Sequence, residues 1–206
     1  MIIVFFMEVV MNKIDIMYDH YKDTFSIQKE TEKVRNKLFV VLCICILLLL
    51  MMTIYPDNIY QNIQEFFEIK LGINIKFELK ILELFNWFII LYLTIRYYQT
   101  NANVEKNYNY IHDLEDKLEK THKLTIYREG RNYLNQYPLF LTISYVFYKY
   151  IFPIVFSLCI ITKNVFNFLN KVNIIFLLIS LFISLLLLVI NVSYFAFNYK
   201  LRKEKM

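Results

Sequence analysis

Lys149 is the one charge between Pro138 and Ile161, eleven residues after the first and twelve before the second. That spacing sets an ammonium near the middle of a span-length apolar segment. A charge there costs about 3 kcal/mol on insertion scales, so intramembrane ionisable groups point to ion or proton handling. Pro153 stands four residues on and has no N–H to give the Lys149 carbonyl. A kink at residue 149, with an amine beside a freed carbonyl, is the expected result. Glu83 offers a partner at matching depth: about 20 Å of helix separate it from Arg96, and about 16 Å separate Lys149 from Pro138. A Glu83–Lys149 pair is therefore expected, with a lysine snorkelling from a register-shifted helix as the plainer alternative. Ser180, Ser184 and Asn191 share roughly one helical face, where they would tie helices together by hydrogen bonds or line a polar path.

Other chemistry is sparse. Cys43, Cys45 and Cys159 all fall in apolar segments and read as small packing residues. His20, His112 and His122 lack the i, i+4 spacing of a helical metal pair. No phosphate-binding loop, dinucleotide fingerprint, nucleophile elbow or HExxH occurs. The expectation is a protein with no catalytic residues, no cofactor and no metal, and not an enzyme.

The elements that must hold these groups are four apolar segments, 38–55, 82–97, 138–161 and 173–197. Each approaches the ~20 residues that cross a bilayer. The 206-residue chain is 58% hydrophobic and 18% aromatic, and what lies outside the segments is too short for a separate core. The fold class expected is an all-α membrane protein, a four-helix transmembrane bundle with cytoplasmic helical extensions and a possible short extracytoplasmic strand. Its parts are a cytoplasmic amphipathic segment at 1–37, the first two spans with their outer loop at 38–98, a cytoplasmic helix and turn at 99–137, and the last two spans with a basic tail at 138–206. Lysine and arginine number seventeen before Leu38, between Arg96 and Tyr137, and after Tyr199, against five in the alternate loops. The positive-inside rule then puts both termini in the cytoplasm, in a cytoplasmic (inner) membrane. Arg96, Arg128 and Arg131 serve as anchors at the inner face, where they meet lipid phosphates. Six acids balance the bases of the middle loop, which argues against a nucleic-acid partner.

Local patterns refine this. Ile14, Met17, Tyr21 and Phe25 form a helical stripe ahead of the first span. Met11-Asn12-Lys13 reads as a more natural start than Met1, so residues 1–10 are expected to be missing from the native protein. Pro56 ends the first span. Across 71–81 apolar and polar residues alternate, which favours a short strand, although 71, 75, 79 and 82 also line a helical face. Only twelve uncharged residues separate Glu83 from Arg96, about 18 Å of helix, so the second span is awkward. Beyond it Val104, Ile111, Leu114 and Leu118 take heptad-like a/d positions. That stripe wants a partner, either residues 14–30 of the same chain or an identical helix in a neighbour. Lys163 and Lys171 are placed in a short outer loop.

Tyr110-Ile111-His112-Asp113-Leu114-Glu115, Arg128-Glu129-Gly130 with Tyr133-Leu134 and Tyr137-Pro138, and Asp19-His20-Tyr21-Lys22-Asp23-Thr24 carry a likeness. With these clusters the chain resembles, from Met11 to Pro153, a group of small uncharacterised bacterial membrane proteins with four predicted spans. The resemblance implies a phage-defence gene neighbourhood and transfers no functional residue. The expected function is an oligomerising membrane effector that perturbs bilayer permeability, its partners the lipid bilayer and other copies of itself. The alternatives are a passive scaffold that docks a cytoplasmic protein through residues 100–130, or a small channel or transporter.

Overall fold

The computed structural model describes residues 2–72, 79–122, 143, 146–170 and 172–204, with the side chains of 2–14, 67, 71, 121–122 and 201–204 left aside. All the regular structure among the described residues is helical. Helix α1 runs from Ile2 to Ile54, 53 residues without a glycine or proline to interrupt it. It stops because Pro56 disfavours helical geometry in Tyr55. Pro56 then opens α2, Pro56–Leu71, at the position where its missing N–H does no harm. Asp57 in the first turn and Lys70 in the last complement the helix dipole. Gly72, at φ 64°, takes the left-handed capping position and donates its N–H to the Glu68 carbonyl at 3.1 Å.

Helix α3, Leu79–His122, is 44 residues long. A π-helical turn, Phe147–Ile151, leads into α4, Phe152–Leu169. Asn173 then caps α5, Ile174–Glu204, by accepting the Ile175 N–H at 3.0 Å.

One expectation needs correction. The outer loop at 57–81 is largely helix, and there is no strand among the described residues. Leu71 closes α2 and Leu79–Ile81 open α3, while 73–78 lie outside the described residues. The backbone is helical at both ends of the alternation. By length and composition, three helices among the described residues are apolar enough to cross a membrane: Asp15–Ile54, Phe147–Leu169 and Ile174–Lys200. The segment 82–97 of α3 is helical, but Glu83, Asn86 and Arg96 dilute its apolar content.

The chain divides into two units, Met1–Lys37 with Gln99–Ile143, and Leu38–Tyr98 with Ser144–Met206. In the first, α1 and α3 run antiparallel. The heptad-like stripe is buried: Ile111, Leu114 and Leu118 pack on Tyr21, with Met17 and Phe25 alongside, and Val104 is equally enclosed. The stripe's partner is this same chain. Tyr21 donates to Glu115 Oε1 at 2.9 Å, Tyr108 donates to Glu32, and Gln28 Nε2 donates to the Val104 carbonyl at 3.4 Å.

In the second unit one apolar cluster draws on four helices: Leu42, Ile46 and Leu49 of α1, Trp87, Ile90 and Tyr97 of α3, Phe152, Phe156 and Ile160 of α4, Ile183 and Leu187 of α5. Phe39 meets Tyr148 and Phe152 edge-on at 4.8 and 4.9 Å between ring centroids, a favoured aromatic geometry.

Candidate functional site

The second unit buries a seam of polar side chains inside its apolar cluster. At one end Lys163 Nζ lies 2.7 Å from Glu83 Oε1, with 3% and 8% of the two side chains exposed. Glu83 falls in the second turn of α3, and α4 carries Lys163 inward because it continues as helix to Leu169. Beyond the ion pair Glu83 Oε1 takes no hydrogen bond among the described residues. Two charges in so dry a place hold each other. Removing one partner of such a pair leaves an uncompensated charge and typically costs about 3–5 kcal/mol.

Glu83 thus pairs with Lys163 and not with Lys149 as expected. The physical reason is register. The apolar helix continues past Ile161, the end expected from the sequence, to Leu169. Lys163 therefore lies within the helix, six residues before its end at Leu169. Lys149 is nonetheless buried, in the π-helical turn. There the Phe152 N–H reaches back to the Phe147 carbonyl, five residues away. Pro153 supplies no N–H for the next bond, and the widened turn falls at the residue where the sequence predicts the helix to be disturbed.

Next to the ion pair, Asn164 Nδ2 donates to Ser184 Oγ at 2.7 Å and to the Ile160 carbonyl at 3.0 Å. Ser184 donates in turn to the Ser180 carbonyl at 2.6 Å. Asn86 of α3 ties to α1 through the Cys45 carbonyl at 3.0 Å. Asn167 is buried with its Nδ2 unpartnered among the described residues.

A second knot lies further along. Asn191 of α5 accepts from Tyr98 of α3 and donates to Ser157 Oγ of α4 at 3.0 Å. Ser157 donates to the Pro153 carbonyl at 2.8 Å. One amide therefore holds three helices, using both its acceptor and its donor. Ser180, Ser184 and Asn191 are all buried, on the shared face that their spacing indicated.

The outward face of α3 is the complement of this seam. Ile81, Phe85, Phe88, Tyr92 and Ile95 are exposed at helical spacing, while Glu83, Asn86, Trp87 and Thr94 turn inward. Arg96 is exposed at the end of that stripe. Arg128 and Arg131 lie outside the described residues. Cys43, Cys45 and Cys159 are half-buried free thiols.

Sequence reasoning missed Lys163, Asn164, Ser157, Tyr98 and Asn86. The signal for α4 was present: Ser157 and Asn164 are seven apart on one face, and Val165, Phe166, Phe168 and Leu169 continue the apolar run past Ile161. Chemically the seam offers a carboxylate, an ammonium, amides and hydroxyls, groups that exchange hydrogen bonds with water or with a partly dehydrated ion. Set against family models, curated proteins and solved structures, the chain matches none of them.

Proposed function

We propose that this protein is a multi-pass membrane protein in which 82–97 of α3 forms a fourth span, and that its polar seam becomes a path for small ions when copies associate. The supporting observation is the inverted face of α3. Its exposed residues from Ile81 to Ile95 are all apolar, while Glu83, Asn86 and Thr94 are buried beside Trp87, Ile90 and Leu93, an arrangement suited to a helix with lipid outside. The neighbours agree. Asn86 touches Cys45 and Tyr97 meets Phe39 at 5.8 Å, so this stretch lies beside the apolar run of α1. With four spans the three basic regions fall on one side, as the positive-inside rule asks; with three, they would divide. Both termini are then cytoplasmic.

A buried carboxylate–ammonium pair and a chain of amides are poor choices for mere cohesion in lipid, where interhelical hydrogen bonds contribute only about 0.6–2 kcal/mol each. A polar interior that wets on demand gives them a use. The effector reading follows: induced protein depolarises the membrane. The test is a voltage-sensitive dye in a bacterial host expressing wild type or Lys163→Met at matched membrane levels. Depolarisation by wild type, altered in the variant, supports the path. No depolarisation by either leaves a scaffold, whose docking surface would be the outward charges of the first unit, such as Asp113, Asp116 and Lys117. Its a/d stripe is already occupied by α1, so a partner would meet these outer faces. A fluorescent protein at the C-terminus, bright only in the cytoplasm, checks the fourth span separately.

A further inference from the structure

The polar side chains that tie α3, α4 and α5 to one another form two tiers, with Asn164 and Ser157 half-buried and the others buried. The Glu83–Lys163 pair, Asn164 and Ser184 make one, and Tyr98, Asn191 and Ser157 make the other. Between them lie fully enclosed apolar side chains of all three helices: Ile160 at 1% on α4, Leu187 at 0% on α5, and on α3 Ile90 at 0%, midway between Glu83 and Tyr98 and flanked by Trp87 and Leu93, all in one cluster. The levels follow from the hydrogen bonds. Asn164 meets Ser184, and Ser157 meets Asn191. Ile160 is three residues after Ser157 and four before Asn164; Leu187 is three after Ser184 and four before Asn191. On α3, Ile90 lies seven residues after Glu83 and eight before Tyr98.

We infer that Ile90, Ile160 and Leu187 are the closed gate of the ion path, an apolar layer that separates two wettable tiers. It rests on the permeation reading above and adds where that path is shut. The tiers are about 10 Å apart along α4, from the seven residues between Ser157 and Asn164. A constriction of that kind stops ions by dewetting, with no need for a plug or a charge. A polar atom in the layer gives water a foothold and bridges the tiers. Cohesion alone predicts otherwise: a hydroxyl there would loosen packing without making a route.

The experiment uses the full chain in phosphatidylcholine–phosphatidylglycerol vesicles loaded with potassium chloride, with potassium efflux as the readout. Leu187→Ser and the gentler Ile160→Thr are compared with wild type and with Leu185→Ser, a change on the outward face of α5. Efflux through Leu187→Ser and Ile160→Thr is expected to rise by about tenfold or more, the effect of lowering a barrier by ~1.4 kcal/mol. Leu185→Ser is expected to match wild type, and Leu187→Phe to fall below it. If wild type conducts and neither gate variant exceeds it, the gate is wrong and the path stands. If every protein matches empty vesicles, the permeation reading fails and takes the gate with it. A rise in Leu185→Ser equal to that in Leu187→Ser would mean general loosening, and also overturns the gate.

Discussion

Helix α3 follows opposite rules in its two halves. From Ile81 to Ile95 its outward residues are isoleucine, phenylalanine and tyrosine, and its inward ones include Glu83, Asn86 and Thr94. From Gln99 to Lys120 the outward residues are mostly charged or amide, including Asn103, Lys106, Asp113, Asp116, Lys117 and Glu119. The inward ones there are chiefly Val104, Ile111, Leu114 and Leu118, with Asn101 and Glu115 buried beside them. The same backbone is therefore cohesive by two different means. In the second half apolar burial against Tyr21 does the holding, worth about 1.5–3 kcal/mol per fully buried aliphatic side chain. In the first half apolar burial yields little if lipid is the alternative, and van der Waals packing with hydrogen bonds remains. In the proposed topology, the changeover near Arg96 marks where the surroundings change from hydrocarbon to water.

Breaking the ion pair should have the largest effect. Lys163→Met strands Glu83 and is expected to cost about 3–5 kcal/mol, measured by denaturant titration in detergent; Glu83→Gln with Lys163→Met should recover most of that. Equal losses for the single and double variants would show that the pair is not a unit. In the other half, Ile111→Ala opens a cavity and should cost about 2–5 kcal/mol, read as a lower melting temperature. A direct trial of the contrast places one lysine on each outward face. Phe88→Lys should reduce membrane insertion by about 3 kcal/mol, while Asp116→Lys stays within ~0.5 kcal/mol, both scored by a glycosylation or reporter assay of insertion. Similar scores would erase the distinction between the halves. Smallest is Asn191→Leu, which unties Tyr98 from Ser157 and should lower stability by about 1 kcal/mol.

Much of this was legible from residue spacing. The stripe from Val104 to Leu118, the face shared by Ser180, Ser184 and Asn191, and the stop at Pro56 are local patterns, and local patterns survive into the fold. The partner of Glu83 was not legible, because pairing depends on the relative depth of two helices, and a few residues' error in where one ends moves a lysine by a full turn or more. A loop over 163–172, as the sequence suggests, would leave Lys163 outside the helix that carries it to Glu83. Helix α2 was hidden for a different reason: its Asn, Gln and Glu side chains look like loop, while Pro56 and Gly72, usually read as breakers, are its start and its cap. The alternation at 71–81 fits two periods at once, and nothing local chooses between them.

Eighty residues separate Glu83 from Lys163. In the proposed topology α3 leaves the ribosome well before α4, and at ~5–20 residues per second the carboxylate waits about 4–16 s for its counter-charge. A segment so weakly apolar is a poor candidate to enter lipid alone. Its residence in the translocon, or beside an insertase, would end only when α4 arrives. Synthesis speed and insertion machinery would then decide how much of the protein matures, and slowing elongation between codons 98 and 163 should raise degradation without altering a single contact in the finished molecule.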